Sequence, residues 1–287
     1  MVKPGDEGVK AGAGAIDSHF HVFAAAGEGG AGLADAQGSG AARPVRYRPA
    51  YGASLDQWAA AAGTRGVTRG VVVQPSFLGT DNAALLAALA AMPRRLRGIA
   101  VVEPSIACAR LHELDALGVR GVRLNLVGRD HLLDAAERGL VERVDALGWQ
   151  VEVHVDRGRL PEVLAQLGDA RTVVVDHFGK PDGVYDAATW AAVARQAERL
   201  HVKLSAPYRL GGVDPAALAA RWLERIGPGR LLWGSDWPCT NHEAAAPAAH
   251  ATEALRGWLG DEALVRRVLV DTPARLYRFD EPPAPGA

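Results

Sequence analysis

The sequence predicts an α/β protein of the (β/α)8, or TIM, barrel class, and three observations carry that prediction. Short runs rich in Val and Ile recur eight times along the chain. Ala- and Leu-rich stretches of helical spacing separate most of them, and histidine and aspartate gather where the runs end. Strand–helix alternation implies a parallel sheet, and eight rounds imply closure of that sheet into a barrel. The 287 residues suit one such domain, which typically runs to about 250 residues. An open doubly wound sheet is the structural rival. No GxGxxG follows the first run, however, and the polar residues are spread over many strands instead of meeting at one crevice.

The first run, from Ala15 to Asp17, leads into AIDSHFH. Residues two apart on a strand share a face, so His19 and His21 project together, with Asp17 one pleat below. The second run, Gly70 to Gln74, precedes NAALLAALAAM, and Gln74 and Ser76 at its outlet could donate hydrogen bonds to a ligand. The third, Gly98 to Glu103, precedes ARLHELDALG, and the fourth, Gly121 to Leu126, precedes LVERVDALG. Gly118 and Gly148 end those two helical patterns, as residues just past a helix C-terminus do. In the fourth run Val122, Leu124 and Leu126 alternate with Arg123 and Asn125. In the fifth, Gln150 to Val155, three valines alternate with Glu152 and His154. Outer strand faces of a barrel pack against helices, so the polar sets face inward. The last three runs are Thr172 to Asp176, followed by His177; His201 to Ser205; and Leu231 to Ser235, followed by Asp236.

Residues 1 to 14 read as a disordered leader, residues 15 to 279 as the single barrel domain, and residues 280 to 287 as a flexible tail. Residues 24 to 42 are Gly- and Ala-rich with almost no apolar anchor, and are expected to form a mobile loop over the barrel mouth. The loop leads into PVRYRPAYG, where Arg43, Arg46, Tyr47 and Arg48 place cations and a phenol near the first strand's outlet.

Charged residues make up 23% of the chain with a formal net charge of -1, and the 48% hydrophobic share is enough for a large core. Acidic and basic residues are interspersed, so composition supports neither a nucleic-acid surface nor a membrane surface. The N-terminal segment lacks the apolar core of a signal peptide, and no apolar run is long enough to span a bilayer. Cys108 and Cys239 form neither a CxxC nor a zinc-ribbon spacing, which fits a reduced compartment and no disulfide. The expectation is a cytoplasmic enzyme acting on a small molecule; oligomeric state is not written in the sequence.

His19, His21, His154, His177 and Asp236 therefore converge on one end of the barrel. A lone buried histidine is usually a satisfied hydrogen-bonding partner, and HxH by itself is a weak signal, but five such groups at matching strand ends form a site. His112, His131, His201 and His250 read as structural or solvated, and His242 stays open because it follows the eighth run closely. Asp17 and Asp176 flank site histidines and suit the fixing of a ring or a backbone turn.

A strand-one HxH, a strand-six His and a strand-eight Asp resemble the amidohydrolase superfamily. The strings VVVQPSFLGTDN, GVRGVRLNLVGRD, VVVDHFGKPD, VKLSAPYRL, LWGSDWP and DTPARLYRF are similar to its 2-pyrone-4,6-dicarboxylate lactonase branch, from about Ala15 to Phe279. The resemblance implies a hydrolase that opens a lactone ring by water attack, on a dicarboxylated lactone of aromatic catabolism. It implies Asp236 as general base, and His19, His21 and His177 as the cluster that polarises the carbonyl. Arg123, Arg129 and Arg209 match the branch's substrate-binding arginines and Tyr47 its binding tyrosine; Ser76, His154 and Lys180 join them as substrate-binding candidates. Three guanidinium forks suit two carboxylates. Arg123 also has a structural reading, as the buried partner of Glu103, Glu152 or Asp176.

One departure bears on the cofactor. The branch carries Tyr at the strand-five end and works without a metal, whereas His154 stands here at the superfamily's metal-ligand position. Two cofactor readings follow: none, or one divalent metal, Zn²⁺ or Mn²⁺, held by His19, His21, His154, His177 and Asp236. Arg123 and Asn125 occupy the strand-four end where binuclear members place a carboxylated lysine, which argues against a binuclear centre. Alternatives on the same fold are a metal-dependent lactonase for sugar acids or muconolactones and a metal-dependent decarboxylase. A barrel that binds without catalysis is the alternative from another class.

Overall fold

The structure is a computed structural model that describes residues 14–25, 47–183, 185–245 and 252–279. The leader up to residue 13, the tail, most of the expected mouth loop, and Arg43, Arg46 and His250 lie outside the described residues.

Eight strands form one sheet in sequence order: β1 (Ala15–Phe20), β2 (Val67–Val73), β3 (Leu96–Ala100), β4 (Val119–Asn125), β5 (Gln150–His154), β6 (Val173–Val175), β7 (Leu200–Ser205) and β8 (Leu231–Gly234). Every neighbouring pair is parallel. The sheet closes just past β8, where the Asp236 N–H donates to the His19 carbonyl at 2.8 Å and the His21 N–H to that of Trp237 at 2.9 Å. β8 approaches β1 so closely that a Cβ on Gly234 would stand 2.5 Å from that of His19, which is why glycine occupies this position.

The crossovers are α1 (Leu55–Gly63), α2 (Ala83–Ala91), α3 (Cys108–Ala116), α4 (Ala135–Ala146), α5 (Leu160–Gln166), α6 (Ala187–Ala194) and α7 (Pro215–Ile226), each following the strand of the same number. Helix α8 (Thr252–Leu259) follows β8. Ser54 with Gln57 and Asp134 with Glu137 make capping boxes that fix where α1 and α4 begin, while Asp186 and Asp214 cap α6 and α7.

Strand alternation divides the apolar residues into two layers. Val72, Val151, Val153, Val173 and Trp233 pack outward with helix residues such as Trp58, Leu89 and Trp222. Val71, Val73, Ile99, Val174 and Leu232 form a separate inner cluster with Tyr277. Consecutive Val71, Val72 and Val73 thus switch sides at each residue, and the polar residues of β4, β5 and β7 take the inner positions. No helix among the described residues is long and apolar enough to cross a membrane, and no disulfide joins Cys108 and Cys239.

Candidate active site

The end of β8 aims one carboxylate at three imidazoles. Asp236 sits in the left-handed region at φ 55, as does His177 after β6 at φ 52. Such backbone is costly for most side chains but tolerable for Asp and His, and here it turns both side chains into the barrel mouth. Asp236 Oδ1 lies 3.5 Å from Nε2 of both His19 and His21 and 3.9 Å from Nε2 of His177. Its other oxygen, Oδ2, accepts from the Tyr208 hydroxyl at 2.5 Å and from Arg209 Nε at 3.1 Å. One oxygen is therefore held and the other is left facing the histidines.

Burial alone would raise the Asp236 carboxyl; Arg209, His177, a hydrogen bond with His21, and His19 outweigh it and hold the group well below the usual carboxylate range. Burial pushes the imidazoles the other way. His19 is brought down to about 3 by burial and then by Lys203, and His177 falls well below its ordinary value, chiefly through burial. The cluster near neutral pH is an ionised carboxylate beside uncharged His19 and His177 rings.

Behind His19 lies a buried ionic group. Lys203 Nζ is 2.5 Å from Glu152 Oε2, 3.4 Å from Asp176 Oδ1 and 3.0 Å from His19 Nδ1. Arg123 donates from Nε and an Nη to Asp176 Oδ2 at 3.0 and 2.7 Å. The Asp176 carboxyl, raised by burial but lowered more by Arg123, Lys203 and His19, ends well below its usual range. Glu152 is pushed up to about 8, by burial first and then by Asp176. The structural reading of Arg123 is thus realised through Asp176, although its guanidinium also lines the cavity above.

That cavity, of about 140 Å³, is lined by His21, His154, His177 and Asp236, and also by Tyr47, Ser76, Arg123, Lys180 and Arg209. Ten of the eleven expected site residues meet at the barrel mouth: His19, buried beneath the cavity, and these nine. Arg129 is placed elsewhere: its guanidinium is 2.7 Å from Glu137 at the start of α4, and it is not among the cavity's lining residues. Gln74 also departs from expectation, because its side-chain N–H groups are given to the Gly79 and Asp81 carbonyls at 3.2 and 2.6 Å, which ties down the β2 loop. Tyr47 donates to Glu243 at 2.9 Å. His154 faces Lys180, with Nε2 to Nζ at 3.1 Å. Asp17 fixes a backbone turn and no histidine ring: the register of β1 shifts between Asp17 and Phe20, and its carboxylate accepts from Ser235 N–H and Oγ, the His19 N–H and Trp58 Nε1.

Sequence reasoning missed four contributors. Lys203 alternates with Val202 and Leu204, so the rule that placed Glu152 inside would have placed it too. Ser205, 2.9 Å from His177 Nδ1, lies one pleat further along the same face. Tyr208 reaches Asp236 only because Ala206 turns left-handed at φ 51, which no residue type there announces. Arg157 lies over Gly211, where a Cβ would stand 1.6 Å from its Nη1, and donates to the Arg209 carbonyl at 3.1 Å. It lines a second depression beside the first, with Lys180, Arg209 and His242.

A metal ion can be tested against these atoms. His19, His177 and Asp236 bring three buried donor atoms within 4.8 Å of one another. His21 Nδ1 lies 2.7 Å from the Val73 carbonyl, so this nitrogen is the donor there and fixes the ring with Nε2 toward the centre, as metal-binding histidines are commonly held. His19 Nε2 is buried with no hydrogen-bond partner among the described residues. The donor set fits one divalent ion on His19, His177 and Asp236, with His21 outside that group but its Nε2 turned toward Asp236 Oδ1 at 3.5 Å. His154 falls outside the grouped donors, its Nε2 being turned to Lys180.

The amidohydrolase family profile matches residues 16–279. The chain is 34% identical to the 2-pyrone-4,6-dicarboxylate hydrolase of Comamonas testosteroni, over 94% of this chain and 92% of that protein. It is 29% identical to the 4-sulfomuconolactone hydrolase of Rhizobium radiobacter, over 92% and 90% of the two. A solved structure from Pseudomonas putida, described as a 2-pyrone-4,6-dicarboxylic acid hydrolase, superposes with a TM-score of 0.80 at 36% identity, covering 94% of this chain and 99% of that one.

Proposed function

This chain belongs to the amidohydrolase family, and from that premise we propose that it opens a lactone ring by water attack, on a small anionic lactone with two carboxylates such as 2-pyrone-4,6-dicarboxylate. The relatives' names support lactone-ring hydrolysis. The observation that carries the reading is the Asp236 carboxylate, whose Oδ2 is held by Tyr208 and Arg209 while Oδ1 faces three imidazole nitrogens.

Asp236 Oδ1 takes a proton from water as the water oxygen attacks the lactone carbonyl carbon. The histidine nitrogens surround the place where negative charge grows on the carbonyl oxygen, and collapse of the tetrahedral species breaks the ring C–O bond, the departing ring oxygen taking the proton that Asp236 had accepted. Arg209, Lys180 and Arg123 supply the cations for the carboxylates, with Tyr47, Ser76 and His154 shaping the rest of the cavity. A substrate carboxylate that draws Arg209 away also removes the strongest of the charges that depress Asp236, so binding makes the base stronger where it is needed. A Zn²⁺ or Mn²⁺ ion on the donors named above would polarise the carbonyl and acidify the attacking water. Cys108 and Cys239, which share no disulfide, support a cytoplasmic location.

A second reading, a lactone with fewer carboxylates such as a muconolactone, is favoured by one observation: Arg129 is engaged by Glu137. The test is hydrolysis of 2-pyrone-4,6-dicarboxylate, followed by loss of pyrone absorbance and by proton release, before and after chelation. Turnover establishes the first reading. An enzyme that leaves this lactone intact and hydrolyses a muconolactone establishes the second.

A further inference from the structure

Among the described residues, donor atoms of the barrel form two groups able to hold a cation, and they share His19. One is His19, His177 and Asp236 at the mouth; the other is His19, Glu152 and Asp176 beneath it. The second group already contains a cation. Lys203 Nζ stands within 2.5 to 3.4 Å of Glu152 Oε2, His19 Nδ1 and Asp176 Oδ1. Its side chain, like those of Glu152 and Asp176, is fully buried. Its Nζ is in hydrogen-bonding reach of Glu152 and His19, and the Asp176 carboxylate stands beside it as an ion pair.

We propose that Lys203 is a fixed internal cation seated in a site whose other groups are those of a divalent-metal site, and that it restricts the barrel to at most one exchangeable metal ion, at the mouth. Charge pairing gives the reason for its retention. Glu152 and Asp176 each lie against a buried cation, Lys203 and Arg123, so a metal entering beside Lys203 would meet an ammonium instead of a free ligand set. Loss of the ammonium leaves two carboxylates and an imidazole around a vacated space, the oxygen and nitrogen ligands that Mn²⁺ and Zn²⁺ accept. The inference goes beyond the lactone reading and stands apart from it, since it concerns metal stoichiometry and not substrate.

The experiment counts Mn²⁺. Parent, Lys203→Ala and Lys203→Arg proteins are stripped with chelator, titrated with Mn²⁺, and measured by elemental analysis and electron paramagnetic resonance. The parent is expected to take up no more than a single, magnetically uncoupled ion per chain, and Lys203→Arg, which keeps the cation, to match it. Lys203→Ala is expected to bind a further ion, and an added Glu152→Gln to abolish that gain. A magnetically coupled Mn²⁺ pair in the parent overturns the proposal. So does a folded Lys203→Ala protein that binds no more Mn²⁺ than the parent, having relieved its charge by protonating Glu152. Lys203→Gln, which removes the charge while keeping most of the volume, replaces Lys203→Ala in the same measurement should the alanine protein fail to fold.

Discussion

The two arcs of the barrel do different work. From β1 to the end of β6 no described non-glycine residue has a left-handed backbone. Arg278 aside, all the described non-glycine residues that do have one lie between His177 and Asn241. The first arc contributes regular strands whose inward residues, Arg123 and Glu152, belong to a buried ionic network. The second contributes strained turns that aim His177, Tyr208 and Asp236. Each such residue costs about 1–3 kcal/mol, which only a well-packed surround can hold in place. The difference teaches that backbone strain gathers in the arc that aims His177 and Asp236, while His19 and His21 reach the same centre from the other arc without it.

The sharpest test of that division is Asp236→Asn. Asn tolerates the same left-handed backbone, so the protein should melt close to the parent temperature while kcat falls by roughly 10²–10⁴-fold, as for loss of a general base. A kcat near that of the parent would remove Asp236 from the chemistry. Arg123→Met probes the other arc. It strands Asp176 in the interior and should cost about 3–5 kcal/mol in a denaturant titration, more than its effect on KM would suggest. If instead stability held and only KM rose, Arg123 would belong with the substrate and the division would blur.

Arg209→Met comes next, because Arg209 touches both the base and the proposed carboxylate. KM for a dicarboxylated lactone should rise roughly 10–100-fold, the loss of a charged hydrogen bond. Asp236 must be ionised to act and Arg209 holds its carboxyl low, so removal lets that carboxyl titrate higher and the acid limb of the kcat/KM profile should move to higher pH. An unmoved limb would mean that the acid limb belongs to another group. The smallest change expected is in Arg157→Ala, which releases the Arg209 loop without touching Asp236. A KM increase of a few-fold, about 1 kcal/mol, with kcat retained is the expected result.

The sequence displayed the barrel clearly, because strand alternation and helical spacing report which faces are buried. His19, His21, His154, His177 and Asp236 were visible by the same rule. Lys203 obeys it too, although it sits inside β7 and not at a strand end. Arg129 and Arg157 show where the rule stops. Both lie in loops, and whether a loop arginine turns to the cavity depends on partners such as Glu137 and Gly211 that no periodicity reveals. Tyr208 was hidden for a backbone reason, since a left-handed Ala206 carries no signature in residue type. Metal content was left open by sequence because His21 and His154 look alike as letters; their different partners, the Val73 carbonyl and Lys180, separate them in space.

The seam that closes the barrel joins residues made at opposite ends of synthesis. Asp17 accepts from Ser235 across 218 positions, and the Asp236 N–H donates to the His19 carbonyl in the same place. A nascent chain that has emerged only as far as β7 owns the histidines of β1 but neither the Asp236 carboxylate that faces them nor the strand that holds them in position. Turnover is therefore a late event in the life of each molecule. During refolding or translation, the appearance of activity times the last closure of the sheet, after most of the secondary structure is in place.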